Sequence, residues 1–285
     1  DRSTARWLVT MDINAGRTGT FDSFCQEWLG KTRQVGVPTP VMLEQFAADF
    51  VYRRKVFGPA YRNGHQATLD PFLAQYNFEQ QIPRNQGQAG DLSISVNHRL
   101  LQDLSDIDAF RQSGAAQAIQ TSLLDTYRQH LHGQQMFDFS LCAQRILQGF
   151  SEGTLYGQLP PVRALLVDEY QDTNPLQEAI YFQLVRQSGC ALAVVGDDDQ
   201  ALYRFRGATV ELFTNFQERY AASMEGASSE KLYLATNHRS TPEIVEFFNT
   251  FVSHDPGFVT ARVAGKPAIE RFNQSRGIPV LGLFR

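Results

Sequence analysis

The chain has 285 residues, of which 42% are hydrophobic and 20% charged, and its formal net charge is −4. That length accommodates one large or two ordinary domains; the balance excludes a disordered chain and argues against a surface uniformly basic for nucleic acid, although a local basic groove can sit inside an acidic chain. No run of about 18 apolar residues occurs, the N-terminus lacks the pattern of a signal peptide, and three scattered cysteines (Cys25, Cys142, Cys190) exclude a disulfide scaffold, so a cytoplasmic protein without a membrane span is expected.

Residues 7–10 (WLVT) read as a short buried strand. GTFDSFCQEWL then turns into a helix with Phe21, Phe24, Cys25, Trp28 and Leu29 at helical spacing. Residues 41–57 read as a second helix, basic at its end through Arg53, Arg54 and Lys55. The stretch from about 58 to 100 is rich in Gln, Asn, Gly and Pro and gives no clear element. Helical periodicity returns over 115–149, broken near Gly133.

Beyond Leu159 the texture changes. Ala164-Leu165-Leu166-Val167 is the short apolar run expected of a parallel strand covered on both faces, and it ends in Asp168-Glu169 with Asp172 nearby. Asn174-Pro175-Leu176-Gln177 supplies an N-cap, a proline at the first helical position and a capping-box glutamine. Leu176, Ile180 and Leu184 continue that helix to Gly189. Ala191-Leu192-Ala193-Val194-Val195 is a second strand, followed by Gly196, Asp197-Asp198-Asp199 and Gln200. Leu232-Tyr233-Leu234 reads as a third strand, and Ser240-Thr241-Pro242-Glu243 starts a helix bearing Ile244, Val245, Phe247 and Phe248. Strands alternating with helices predict an α/β fold with a parallel sheet.

A parallel sheet places both acid clusters at one carboxyl edge, where open sheets bind ligands. Carboxylates there can hold Mg²⁺, which prefers oxygen ligands, while a neighbouring acid activates water. Solvated loops or helix N-caps are the alternative reading of the same acids.

LLVDEYQDTNPLQ, VVGDDDQALYRFRGA and LATNHRSTPEIVEFFN, in this order, closely resemble motifs II, III and IV of the superfamily 1 DNA helicases of the UvrD/Rep/PcrA type. GTFDSFCQEWL resembles that family's GTFHSF segment, and LLDTYRQHLHGQQMFDFSLCAQRIL resembles the helix and DFDDL stretch before motif II. The resemblance implies a RecA-like parallel-sheet domain split between residues 1–35 and 150–225, a mainly helical inserted subdomain over 36–149, and the beginning of a second RecA-like domain over 226–285. It implies ATP and Mg²⁺, with Asp168 on the metal of Mg-ATP, Glu169 polarising the attacking water, Gln200 sensing the γ-phosphate and Arg239 reaching it across the cleft between the two domains. Phosphoryl transfer is catalysed by positioning and charge neutralisation, which needs these residue types.

Tyr203, Arg204, Phe205 and Arg206 are the main candidate DNA contacts, by aromatic stacking and phosphate pairing. The alternative makes Tyr203 and Phe205 core residues and pairs Arg206 with an acid of Asp197–Asp199. Thr20 (through its backbone) and Phe21 are further DNA-side candidates, with a simply buried Phe21 as the alternative.

The sequence departs from the family at several points. No G-x-x-x-x-G-K-S/T phosphate loop is found. Gly30-Lys31-Thr32 mimics its tail, but QEWL before it looks helical, so a helix end is the better reading. Asp22 stands where the family often has His, and a carboxylate beside a DNA phosphate would repel it. The later family motifs are not found before Arg285.

The expectation is an ATP-dependent DNA helicase or translocase, 3′→5′ by resemblance, acting on single-stranded DNA and duplex/single-strand junctions. The chain represents it incompletely and by itself is expected to lack robust turnover. A non-catalytic DNA-binding or scaffolding module with the helicase fold is the alternative, and a metal-dependent nuclease the remote one.

Overall fold

The computed structural model describes residues 16–32, 39–70, 115–155, 158, 161–201, 210–254, 256, 259, 262–263 and 265–272. The strand expected over 7–10 and the segment from Tyr203 to Arg206 lie outside them. The described residues are mixed α/β, mostly helical, with three short pairs of parallel strands. They belong to two compact units.

The first unit takes in residues up to Arg163 together with Pro175–Cys190. Helix α1 (Phe21–Thr32) starts where the Thr20 hydroxyl accepts the Ser23 N–H at 3.1 Å, which satisfies one of the orphan donors of a helix N-terminus. It buries Cys25 and Trp28, as its periodicity predicts. Strand β1 (Val41–Met42) follows Pro40 and pairs in parallel with β2 (Met136–Phe137).

The helix expected over 41–57 therefore begins later, as α2 (Gln45–Val51), and it also runs further. It continues through a π-helical stretch (Tyr52–Phe57), an α turn (Gly58–Ala60) and a second π stretch (Tyr61–His65) that kinks at Asn63 and Gly64. A proline removes one hydrogen bond and crowds the carbonyl four residues back, and a widened turn accommodates it. Pro59 sits between the two widened stretches, so Arg53, Arg54 and Lys55 fall mid-helix rather than at a helix end.

Helix α3 (Ala115–Gly133) ends at the predicted glycine, and α4 (Phe139–Ser151) follows β2. Asp138 joins them. Its Oδ1 accepts the Leu141 N–H at 2.7 Å as the N-cap of α4, and its Oδ2 accepts the buried Tyr127 hydroxyl at 2.7 Å. Tyr52, Val56, Phe57, Leu69, Leu123, Leu124, Tyr127 and Leu131 form one core cluster. A second core lies between α1, α4 and α5 (Pro175–Ser188), where the Trp28 and Phe150 rings meet edge to face at 5.6 Å. Leu176, Ile180 and Leu184 on α5 are buried, and Gly189 ends that helix with φ +66°, its N–H on the Val185 carbonyl at 2.8 Å.

The second unit takes in Ala164–Asn174, Ala191–Arg204 and residues from Ala208 onward. Strands β3 (Ala164–Val167) and β4 (Ala191–Val194) pair in parallel with Val167 opposite Val194. Their burial differs from expectation: Leu166 is 73% exposed and β4 alternates exposed and half-buried positions. That is the pattern of strands with one covered face, not two.

Short helices α6 (Val210–Thr214) and α7 (Phe216–Ser223) follow. The third strand is displaced from Leu232–Leu234 to β5 (Thr236–Asn237), which pairs with β6 (Glu270–Arg271). Leu234 is 89% exposed. Apolar character marks a strand candidate, but the ladder partner decides where the strand is. Helix α8 (Pro242–Ser253) begins at the predicted proline, and its Asn249 side chain clamps the backbone before β6, donating to the Ile269 carbonyl at 2.9 Å and accepting the Ile269 N–H at 3.1 Å.

Asp138→Ala removes both a helix cap and the acceptor of a buried hydroxyl. Each loss is worth about 1 kcal/mol or more, so a destabilisation of about 2–3 kcal/mol is expected in urea unfolding monitored by far-UV circular dichroism.

Candidate functional site

The register of β3 against β4 brings both acid clusters to one carboxyl edge. Past the paired residues the Val195 N–H donates to the Val167 carbonyl at 2.8 Å, and the Tyr170 N–H donates to the Val195 carbonyl at 2.9 Å. Asp168-Glu169 and Asp197–Gln200 thus leave adjacent strand tips. Short 3₁₀ turns follow each, at Tyr170–Asp172 and Asp198–Gln200.

Glu169 sits in the left-handed region at φ 51°, ψ 43°. A non-glycine residue there carries roughly 1 kcal/mol or more of strain. Local hydrogen bonds hold it: the Glu169 N–H donates to Asp168 Oδ1 at 3.0 Å, and the Asp172 N–H donates to the Glu169 carbonyl at 2.9 Å. Both Asp168 and Glu169 are exposed.

Sequence reasoning missed Gln171. It is 1% exposed, its Nε2 donates to Glu169 Oε2 at 2.7 Å, and its Oε1 accepts the Asp197 N–H at 3.0 Å. One amide therefore spans the two strand tips. Gly196 makes the approach possible, since a Cβ there would lie 2.6 Å from Gln171 Oε1. A buried polar residue inside an acidic motif was the available signal, but its neighbour on β4 is not visible in one sequence.

The second cluster is largely offset by two cations. Lys266 Nζ lies 2.5 Å from Asp197 Oδ1, 2.5 Å from Asp198 Oδ1 and 3.0 Å from Asp199 Oδ2, while Arg262 donates to both Asp199 oxygens at 2.8 and 2.7 Å. The Val263 N–H also donates to Asp198 Oδ2 at 2.6 Å. The three carboxylates cluster tightly enough to ligate a cation, but an ammonium already stands among them. Asp168 is different: one oxygen accepts the Glu169 N–H, and no hydrogen bond among the described residues engages the other. An exposed carboxylate with a spare oxygen suits a hydrated hard cation. Burial pushes the Asp197 carboxyl up, but hydrogen bonds from Lys266 and Gln200 and the Lys266 charge outweigh it and hold Asp197 below its ordinary value. Burial likewise lowers Lys266, and the three aspartates outweigh that and raise it.

Gln200 is exposed and donates through Nε2 to Asp197 Oδ2 at 2.8 Å. Arg239 is exposed, and its N–H and that of Ser240 both donate to Asn237 Oδ1, at 2.9 and 2.8 Å. No ion pair among the described residues joins Arg239 to Asp168, Glu169 or the aspartate triplet. Thr20 caps α1, and Phe21 is half-buried with its ring edge-on to Tyr181 at 5.7 Å. Burial raises the Asp22 carboxyl. Burial, followed by the Asp22 and Asp138 charges, pushes the Cys142 thiol up to about 12. Gly30, Lys31 and Thr32 form the last turn of α1, with Lys31 Nζ 2.5 Å from Glu27 Oε1, as the helix-end reading requires.

Residues 5–221 match the family described as the UvrD/REP helicase N-terminal domain. DNA helicase IV of Escherichia coli (strain K12) is 35% identical over 136 residues, covering 47% of this chain and 19% of that protein. The ATP-dependent DNA helicase UvrD1 of Mycobacterium bovis is 34% identical over 145 residues, covering 48% of this chain and 18% of that protein. An ATP-dependent helicase/nuclease protein of Streptococcus pneumoniae is 28% identical over 187 residues, covering 65% of this chain and 15% of that protein. The chain thus spans under a fifth of the length of these curated relatives. No helix among the described residues is long and apolar enough to cross a membrane.

The charge cluster sets a pH window. Asp197, lowered from 3.8, contributes stability that is present above that value and lost as pH falls through the lowered pKa. Lys266, raised from 10.5, contributes stability that is complete below that value and lost as pH rises through the raised pKa. Lys266→Met should cost about 2–3 kcal/mol at pH 7, less than the ~3–5 of a fully buried pair because Asp197 stays partly solvated, and should flatten the alkaline limb of stability against pH in urea titrations.

Proposed function

The chain belongs to the UvrD/REP helicase family, and from that premise we propose that it carries part of an ATP-hydrolysing motor that moves on single-stranded DNA and opens duplex/single-strand junctions, in the 3′→5′ direction. The observation that supports this reading best is the adjacency of two strand tips, one bearing Asp168 and a backbone-strained Glu169, the other bearing Gln200. The left-handed backbone of Glu169 adds to this, but Glu225 has a similar positive φ in an ordinary turn, so the adjacency of the two tips carries the argument.

In this reading residues 1–35 and 150–225 make a RecA-like ATPase domain, 36–149 a mainly helical insertion, and 226–285 the beginning of a second RecA-like domain. Asp168, with one carboxylate oxygen left unengaged by the described residues, would hold Mg²⁺, and the ion would supply charge neutralisation for the phosphate oxygens of ATP. Glu169, fixed in direction by its left-handed backbone, orients the attacking water and accepts its proton. Gln200, presented at the tip of β4, reads the γ-phosphate. Arg239, at the end of a turn tied down by Asn237, supplies a planar cationic fork to the same phosphate. Arginine suits that role because it stays charged in a closing cleft.

Tyr203, Arg204, Phe205 and Arg206 follow Gln200 in the chain. As a DNA contact they place aromatic rings on bases and guanidinium groups on phosphates. Thr20 and Phe21 are proposed on the DNA side as well, the former through its backbone.

Two measurements test this. In the natural full-length protein, Glu169→Gln should abolish DNA-stimulated ATP hydrolysis while nucleotide binding by equilibrium titration persists; undiminished turnover removes Glu169 from the role of base. Tyr203→Ala and Phe205→Ala should each weaken single-stranded DNA binding by about 1–3 kcal/mol in fluorescence anisotropy, with similar losses on oligonucleotides of different sequence. A protein that binds DNA but neither binds nor hydrolyses Mg-ATP would be a DNA-binding module with this fold.

A further inference from the structure

We propose that Gln171 is a positioning residue that couples the carboxylate of Glu169 to the strand tip carrying Gln200. The inference rests on the reading of Glu169 as the base of nucleotide hydrolysis. A primary amide buried to 1% exposure must satisfy both its donor and its acceptor. Here the donor faces a carboxylate and the acceptor faces a backbone N–H, at 2.7 and 3.0 Å, so the amide has one admissible orientation. The reverse would set its oxygen against the Glu169 carboxylate.

Among the described residues this is the one hydrogen bond to the Glu169 carboxylate. The backbone bond from Tyr170 to Val195 fixes the two chains but not the carboxylate. On the far side of Gln171 the connection continues. The Asp197 carboxylate accepts Gln200 Nε2 at 2.8 Å, the Asp199 N–H at 3.2 Å and the Lys266 ammonium. A change in what Glu169 binds is therefore passed through a single amide to the residue that presents Gln200. Gly196 keeps the link short, since a side chain there would displace the Gln171 oxygen.

The test is amide hydrogen exchange at Asp197 in this 285-residue chain, read by NMR at constant pH, with far-UV circular dichroism as the folding control. Glu169→Ala, which removes the acceptor of Gln171, should speed Asp197 exchange about tenfold, the loss expected of one hydrogen bond. Gln171→Leu should do the same, and adding Glu169→Ala to it should change nothing further. Gln171→Glu keeps an oxygen for the Asp197 N–H but loses the donor to Glu169, so it should speed Asp197 exchange as Glu169→Ala does.

If Gln171→Leu does not fold, Gly196→Ala perturbs the same amide and should likewise abolish the response to Glu169→Ala. An Asp197 amide equally protected in folded Gln171→Leu, or a Glu169→Ala effect undiminished in that background, overturns the coupling. In turnover by the natural full-length protein, Gln171→Leu and Gln171→Glu should lower kcat about tenfold or more with KM for ATP little changed, and a rise in KM alone counts against positioning. The two readings separate cleanly. Normal hydrolysis by Glu169→Gln removes the base while leaving the exchange coupling intact, whereas an inactive Glu169→Gln without exchange coupling removes only this inference.

Discussion

The level pairing of β3 with β4 is the constraint on which the rest of the site depends. Val167 lies opposite Val194, and the ladder extends one step further through Val195 before either chain turns. A slip of one residue in a strand reverses which side chains face each side of the sheet. It would also separate Glu169 from Asp197, because Gln171 spans them with two hydrogen bonds of 3.0 Å or less. Short strands serve this purpose as well as long ones, since what matters is that the two tips end together.

The two acid clusters at those tips have opposite electrostatic roles. Asp168 and Glu169 face solvent with few partners, and Glu169 holds a left-handed backbone. Asp197, Asp198 and Asp199 are drawn inward and paired with Lys266 and Arg262, which offset two of their three charges. Carboxylates this close repel one another unless a cation intervenes, and an ammonium with three donors satisfies all three at once. The triplet therefore serves as an anchor for the chain at 262–266, and it leaves the first cluster as the one open to a ligand.

In the first unit the same economy operates on apolar surface. Helices α1, α4 and α5 bury Trp28, Phe150, Ile180 and Leu184, while Asp138 ties α3 to α4 by capping one and accepting a tyrosine hydroxyl from the other. Asp22 sits at the start of α1 near two buried thiols, where burial raises its carboxyl above the ordinary value.

The sequence by itself determined the local features, because they depend on neighbours in the chain: the helices at Phe21, Phe139, Pro175 and Pro242, the strands at Ala164 and Ala191, and the acids that follow them. The parallel arrangement followed from a helix lying between two apolar runs. What depends on distant partners was decided only in three dimensions. The Lys266–aspartate cluster joins residues 67–69 positions apart, and β5 is set by β6 rather than by the apolar triplet before it. Gln171 belongs to this second group. Its identity was plain in the motif, but its role comes from the Asp197 N–H that the neighbouring strand brings within reach, which a linear pattern has no means of expressing.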